Sequence, residues 1–290
     1  MKRILLSSVA RAAGALAMLL GAPAAAAKPR DSLSAVWIGG PTLLFRFGPI
    51  TLVTDPVLGE SFRMIDPNSG APDALHRRFA PLPDVAVEDA DLVLVSHDHA
   101  DHLDEAALAR LGRGSRFIVP LAQAGTLNAR GARQVLGLPW RASHTIRKNG
   151  YSVRITAVPA QHSEKPALLK VLGEVNGYWI EFRHRRFRRT VYWTGDSFPV
   201  PAELGPETRA PDLLVPHLGG VGEGGPFGQV SMGAREAIAL ARVVKPRRVL
   251  PIHHSTFSLY REPVDLFTAE AAREPWKTER LDEGEELVLP

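Results

Sequence analysis

Short blocks of apolar residues, some alternating with polar ones and some continuous, run along this chain and are cut by turn residues. Ser34 to Ile38, Thr42 to Phe47 and Ile50 to Thr54 read as strands divided by Gly39-Gly40-Pro41 and Gly48-Pro49, a spacing that predicts an antiparallel meander. Residues 59–90 are rich in proline, glycine and charge and predict a loop. Asp91 to Ser96 is apolar without alternation, as in a strand covered on both faces. Strand and helix signals then interleave. Helices are predicted at Leu103 to Leu111 and Leu121 to Ala129, and strands at Phe117 to Val119, Tyr151 to Val158 and Leu213 to Val215. Gly177 to Phe182 and Thr190 to Thr194 form a hairpin around Arg183 to Arg189. Ser231 is placed to cap a helix ending near Val244, and Val249, Leu250 and Ile252 make the last core strand. Antiparallel hairpins mixed with strand–helix units predict α/β layers rather than an all-β sandwich.

The chain's 290 residues, 45% hydrophobic and 23% charged, suffice for a packed core and are too ordinary for disorder. The absence of cysteine excludes disulfides, zinc–thiolate sites, iron–sulfur clusters and cysteine nucleophiles. The N-terminus changes the picture more. Met1-Lys2-Arg3 and Arg11 precede an apolar run from Ala12 to Leu20, a break at Gly21-Ala22-Pro23 and the small residues Ala25-Ala26-Ala27. This is the pattern of a secretory signal peptide over residues 1–27, with a run too short to span ~30 Å of hydrocarbon. It predicts a mature domain over 28–290 in a periplasmic or extracellular space. Removing Lys2, Arg3 and Arg11 leaves 35 − 3 = 32 basic residues against 31 acidic ones. A near-zero balance argues against a nucleic-acid partner.

The chemistry concentrates at strand ends. His97-Asp98-His99-Ala100-Asp101-His102 follows the strand ending at Ser96, and its imidazoles and carboxylates suit Zn, Mn or Fe in the divalent state. A merely polar surface loop would not explain why later apolar strands also end in His or Asp. Those endings are His162, Asp196, His217 and the pair His253-His254, and ligands collect at strand ends in layered α/β folds.

At these residues the sequence resembles the metallo-β-lactamase superfamily, through its His-x-His-x-Asp-His motif and the order of the later ligands. The resemblance is nearer to the branch that includes N-acyl-phosphatidylethanolamine phospholipase D and L-ascorbate-phosphate lactonase-type hydrolases. It is carried by Trp37-Ile-Gly-Gly-Pro-Thr42, Leu52-Val-Thr-Asp-Pro-Val57, Ser96-His-Asp-His-Ala-Asp-His-Leu-Asp104 and Leu250-Pro-Ile-His-His-Ser-Thr-Phe257, and it covers roughly Ser34 to Phe267. It implies an αββα sandwich of two mixed β-sheets with helices on the outer faces. It also implies two divalent metal ions, Zn²⁺ with Mn²⁺ or Fe²⁺ as alternatives. His97, His99 and His162 would bind the first, Asp101, His102 and His253 the second, and Asp196 would bridge them. His254 is the alternative to His253. The implied activity is hydrolysis by a metal-activated hydroxide, of a phosphodiester or phospholipid or of a lactone or ester. Asp101 would serve as catalytic residue and His217 as either a substrate contact or a supporting residue. A β-lactam-hydrolysing enzyme and a non-catalytic metal-binding envelope protein are the competing readings.

Four features complete the reading. Ala100 stands where the branch usually has an aromatic residue and implies a wider mouth. Phe227, in the glycine-rich stretch 219–228, is placed to cap an apolar substrate. Asp55 could orient a ligand imidazole, though Asp-Pro is also a turn former. The basic run Arg183 to Arg189 reads as a solvated turn, with peripheral contact to anionic lipid as the functional alternative.

Overall fold

The structure is a computed structural model and describes residues 32–199, 204–205 and 209–290. Residues 1–27, the predicted signal peptide, lie outside the described residues. The chain opens with β1 (Leu33–Gly39), β2 (Thr42–Phe47) and β3 (Ile50–Thr54), paired antiparallel as the meander predicts. A small hairpin follows, β4 (Ser61–Met64) and β5 (Ala74–Arg77), inside the segment that composition alone reads as loop. Its strands are too short to give a readable period, which is why the sequence hides them.

Next come β6 (Leu92–Leu94), α1 (Glu105–Leu111), β7 (Arg116–Pro120), α2 (Ala124–Ala129) and β8 (Gln134–Leu138). The chain then crosses to β9 (Ser143–Lys148), β10 (Tyr151–Pro159), α3 (Pro166–Leu172), β11 (Asn176–His184), β12 (Phe187–Trp193) and β13 (Leu213–Val215). It closes with α4 (Ala234–Val244), β14 (Arg248–Val249), α5 (Val264–Ala271), β15 (Lys277–Thr278) and β16 (Glu286–Leu289). The strand at Val249 is therefore not the last. β16 returns to pair with β1, so the first sheet holds strands from both ends of the described chain.

Two seven-stranded mixed sheets result, ordered β16-β1-β2-β3-β6-β7-β8 and β15-β14-β13-β12-β11-β10-β9. Period-2 alternation decides what each strand covers. Leu33, Ala35 and Trp37 join Phe45, Ile155, Phe182 and Trp193 in the core between the sheets, while Val36 and Ile38 face the other way. On the first sheet's outer face, Val93, Val95 and Phe117 pack against Ala107, Leu108 and Leu111 of α1. On the second sheet's outer face, Leu214 and Val249 pack against Ile238 and Ala241 of α4 and Phe267 of α5. This is the αββα sandwich with helices outside.

Two local expectations are corrected. Gly233, not Ser231, caps α4, and its amide donates to the Glu236 carboxylate at 3.0 Å. Ser231 Oγ instead accepts the Val221 amide, fixing the loop before the helix. The hairpin tip is Arg185-Arg186 alone. Glu181 binds Arg183 and its cross-strand partner Arg188, which offsets the repulsion that would keep this run out of the ladder.

Candidate metal centre

Strands β6, β10, β12 and β13 release their C-terminal ends at one edge of the sandwich, where the two sheets meet. Asn176 donates its amide to Ser96 O across the gap at 2.9 Å. Gly195 takes a positive φ of 60° where an added Cβ would lie 2.7 Å from the Ser96 Cβ. The loop after β6 and the turn after β12 are thus forced together, and glycine permits the approach.

His97, His99 and His162 place ligand atoms within 4.8 Å of one another, and so do Asp101, His102, Asp196 and His253. His102 joins the two sets, with its ring centroid 4.1 Å from His97 and 5.0 Å from His253. All but His99 are buried. A further grouping of Asp55, His102 and His217 meets the same distance criterion, but its Asp55 and His102 atoms are engaged with each other at 2.6 Å.

Hydrogen bonds set the tautomers. His102 Nδ1–H donates to Asp55 Oδ2 at 2.6 Å, His162 Nδ1–H to Val230 O at 2.7 Å and His253 Nδ1–H to Leu218 O at 3.0 Å. Ser96 Oγ–H donates to Asp55 Oδ2 at 2.6 Å and so can accept from His97 Nδ1–H at 2.9 Å. Each ring therefore turns an Nε2 lone pair inward. The Nε2 atoms of His97, His102 and His253 are buried without a hydrogen-bond partner. Buried polar atoms are rarely left so. Three orphan imidazole nitrogens beside the Asp101 and Asp196 carboxylates are what divalent metals require, and the residues fit such a group.

Electrostatics agree. Asp101 and Asp196 are buried, and among the described residues the charged partners within reach of them are imidazoles, at 3.3–3.7 Å. Burial alone would raise both carboxyls. The neighbouring imidazoles outweigh it, holding Asp101 at about 2 and Asp196 well below the usual carboxylate range. Burial likewise disfavours a charged His102, yet Asp196, Asp101 and Asp55 together raise it well above an ordinary imidazole. His99 is held at about 4 by burial and by the imidazole of His162. Without metal, one imidazole takes up a proton to balance buried carboxylates; a cation would balance them without protonating a ligand.

The remaining residues divide. Asp55, with a φ of 30°, accepts both the Ser96 amide and its hydroxyl and so holds His102. His217 is fully buried, its Nδ1 3.3 Å from Asp196 Oδ1 and its ring stacked 5.4 Å from His253. It lines no part of the cavity above the centre, so a substrate contact has no geometric support. His254 sits against Trp37 at 4.7 Å and accepts or donates only toward Ser255 and Pro251, away from both ligand sets. Thr256 belongs to the closing motif without a role assigned to it from sequence, and Arg78 and Glu283 carry no motif of their own.

Above the centre lies a cavity of ≈ 400 Å³, with His99, Asp101, His162 and Asp196 in its wall. The rest of its lining is mostly apolar and includes Met64, Ile65, Val171, Leu172 and Phe227. Ile65 and Val171 stay 55% and 79% exposed, and α3 buries none of its residues. Ala100 lies in the wall of this cavity, and Lys165 holds the Phe227 carbonyl at 2.9 Å.

A family model described as "Beta-lactamase superfamily domain" matches residues 51–254. N-acyl-phosphatidylethanolamine-hydrolyzing phospholipase D 1 of Caenorhabditis elegans is 29% identical over 255 residues, which cover 81% of this chain and 68% of that protein. A protein named as a metal-dependent hydrolase in Cupriavidus taiwanensis is 33% identical over 267 residues, 83% of this chain and 85% of its own. In three dimensions the chain is similar to a "possible metal-dependent hydrolase" of Veillonella parvula DSM 2008, with a TM-score of 0.69 at 18% identity over 90% of this chain and 100% of that one.

Proposed function

The chain belongs to the β-lactamase superfamily and is a metal-dependent hydrolase of that fold, and from this premise we propose that it uses two divalent ions to hydrolyse an ester or phosphodiester bond in a substrate with an apolar chain. The observation that carries this reading is the opening of two adjoining ligand sets, His97–His99–His162 and Asp101–His102–Asp196–His253, into an apolar cavity. The name of the Caenorhabditis relative, a phospholipase, supports the apolar substrate.

Bound metals would supply a lowered water pKa and polarisation of the substrate's carbonyl or phosphoryl oxygen. The chain's own residues do the rest. Asp196, between His102 at 3.4 Å and His217 at 3.3 Å, would hold the two ligand sets in register. Asp101 remains ionised across the working range, and its free Oδ1 would accept the hydrogen bond that orients the attacking water. The apolar wall would seat the substrate chain and exclude bulk water, which strengthens those contacts. Burial of a side chain of this kind is worth about 1.5–3 kcal/mol.

Export belongs to the same proposal, with residues 1–27 removed and the hydrolase in a periplasmic or extracellular space. Among the described residues no helix is long and apolar enough to cross a membrane.

Metal analysis with a substrate panel tests the reading: p-nitrophenyl esters of short and long acyl chains, lactones, bis-p-nitrophenyl phosphate and a chromogenic β-lactam. Turnover should vanish on chelation, return with metal and favour long apolar chains on one ester class. Equal turnover by the metal-stripped protein would end the metal mechanism, and preference for the β-lactam would replace the substrate class. The N-terminal sequence of protein recovered from the exported fraction tests removal of residues 1–27.

A further inference from the structure

The opening motif Trp37 to Thr42 and the closing motif Leu250 to Phe257 lie at opposite ends of the sequence and contain no ligand except His253. The structure brings them into contact. Gly40 O accepts the His253 amide at 2.8 Å, and Gly40 N donates to Thr256 Oγ1 at 2.6 Å. The Thr256 hydroxyl in turn donates to Glu283 Oε1 at 2.6 Å. The other oxygen of Glu283 pairs with Arg78, whose Nη2 also donates to Ile38 O at 2.9 Å. Gly39 is clamped between these two groups, since a Cβ there would lie 2.6 Å from Arg78 Nη2 and 2.8 Å from Glu283 Cδ.

This chain of contacts acts on strained backbone. His253 and Ser255 take φ values of 62° and 59°, in the left-handed region that residues with a Cβ avoid. Such residues persist only where their surroundings over-determine them. Arg78, Thr256 and His253 are all buried, so the network cannot exchange freely with water.

We propose that Thr256, Glu283 and Arg78 are positioning residues that hold His253 in ligand geometry and thereby set occupancy of the Asp101–His102–Asp196–His253 set. Glu283, from the C-terminal segment beyond the last helix, becomes part of the metal centre without touching a metal. The inference rests on the metal-centre reading above.

The experiment loads full-length protein with Co²⁺ and compares wild type with Thr256→Val, Thr256→Ser and Glu283→Gln. It reads metal content, the visible absorption contributed by each site, and thermal unfolding of the metal-stripped forms. Thr256→Val should weaken one of two bound ions ~10–100-fold, the usual effect of losing a group that orients a ligand. The ion on His97, His99 and His162 should keep its spectrum, and stripped Thr256→Val should unfold close to the wild type. Thr256→Ser, which keeps the hydroxyl, should restore the second ion. Glu283→Gln should weaken the same ion, because a neutral amide gives up the charge that pairs with the Arg78 guanidinium. Wild-type affinity for both ions in Thr256→Val would overturn the proposal. Equal loss of both ions together with thermal stability would overturn it too, by making the network general scaffolding. Wild type that binds no Co²⁺ would instead overturn the metal-centre reading itself.

Discussion

The two sheets share one topology and contribute to the site in opposite ways. Each runs through three antiparallel pairings and then three parallel ones, from β16 to β8 in the first and from β9 to β15 in the second. In each, an aspartate follows the strand where pairing changes from antiparallel to parallel: Asp55 after β3 and Asp196 after β12. The first sheet then delivers His97, His99, Asp101 and His102 from one loop. The second delivers His162, Asp196, His217 and His253 from four separate strand ends. Equivalent places in one topology thus carry different chemistry. Asp55 is turned back to hold His102, whereas Asp196 is turned forward into the ligand set.

A ligand set on one loop keeps its local geometry, while a distributed set exists only when the whole sheet is assembled. The largest test of that contrast is Asp196→Ala. It should release metal and abolish turnover, measured as metal per protein and kcat, because it removes a buried carboxylate from the Asp101–His102–Asp196–His253 set. Asp101→Asn in the first sheet's loop should keep more metal and yet lower kcat about 10²–10⁴-fold, the usual scale for a group that handles the attacking water's proton. If the two variants lose metal equally, the distinction between the sheets fails.

The supporting residues sharpen the same comparison at smaller scale. Asp55→Asn should weaken metal ~10–100-fold by loosening His102. His217→Ala should leave metal bound with a milder loss of affinity, since Asp196 keeps its other partners. Competition titration against a chelator ranks the two, and a larger effect in His217→Ala would make His217 a ligand.

His254 tests the second sheet's loop through pH. Burial lowers its pKa from 6.5 to about 4, so the unfolded chain takes the proton first as pH falls. Its stabilising effect is complete above 6.5 and fades as pH falls toward 4, by about 3 kcal/mol in all. Urea unfolding of wild type and His254→Gln across that window should show a shallower pH slope in the variant. Parallel slopes would mean that His254 is not neutral and buried.

The smallest effect concerns the far end of the second sheet. Arg185-Arg186 lies at the opposite end of β11 from Asn176, roughly 25 Å away at the rise of a strand. Reversing both charges should leave kcat within about 2-fold, because salt screens exposed charges beyond about 10 Å. Vesicles containing anionic lipid provide the second readout. Weaker vesicle binding with unchanged kcat would assign lipid contact to this tip, and a large change in kcat would break the separation of the two ends.

Local pattern determined five of the seven strands in each sheet and missed β8 and β16 in the first and β9 and β15 in the second. The meander, the strand before His97 and the loop motif are all legible, because alternation and ligand spacing are properties of consecutive residues. The β4–β5 hairpin, β16 and α3 were not, since each is too short to show a readable period. His162, Asp196 and His253 were legible as donors at the ends of apolar strands, but their division into ligand sets came only through a resemblance that spans the chain, because one histidine after a strand does not say which group it joins.

The sequence by itself determined the α/β layering, the candidate ligand types and the loop that offers four of the seven. Tertiary structure alone decided that Asp55 supports and Asp196 faces the centre, that His217 lies beneath it, and that Glu283 reaches His253 through Thr256. The reason is physical: composition and period fix which groups a segment can offer, but direction and burial depend on contacts between residues such as Gly40 and Thr256, 216 positions apart.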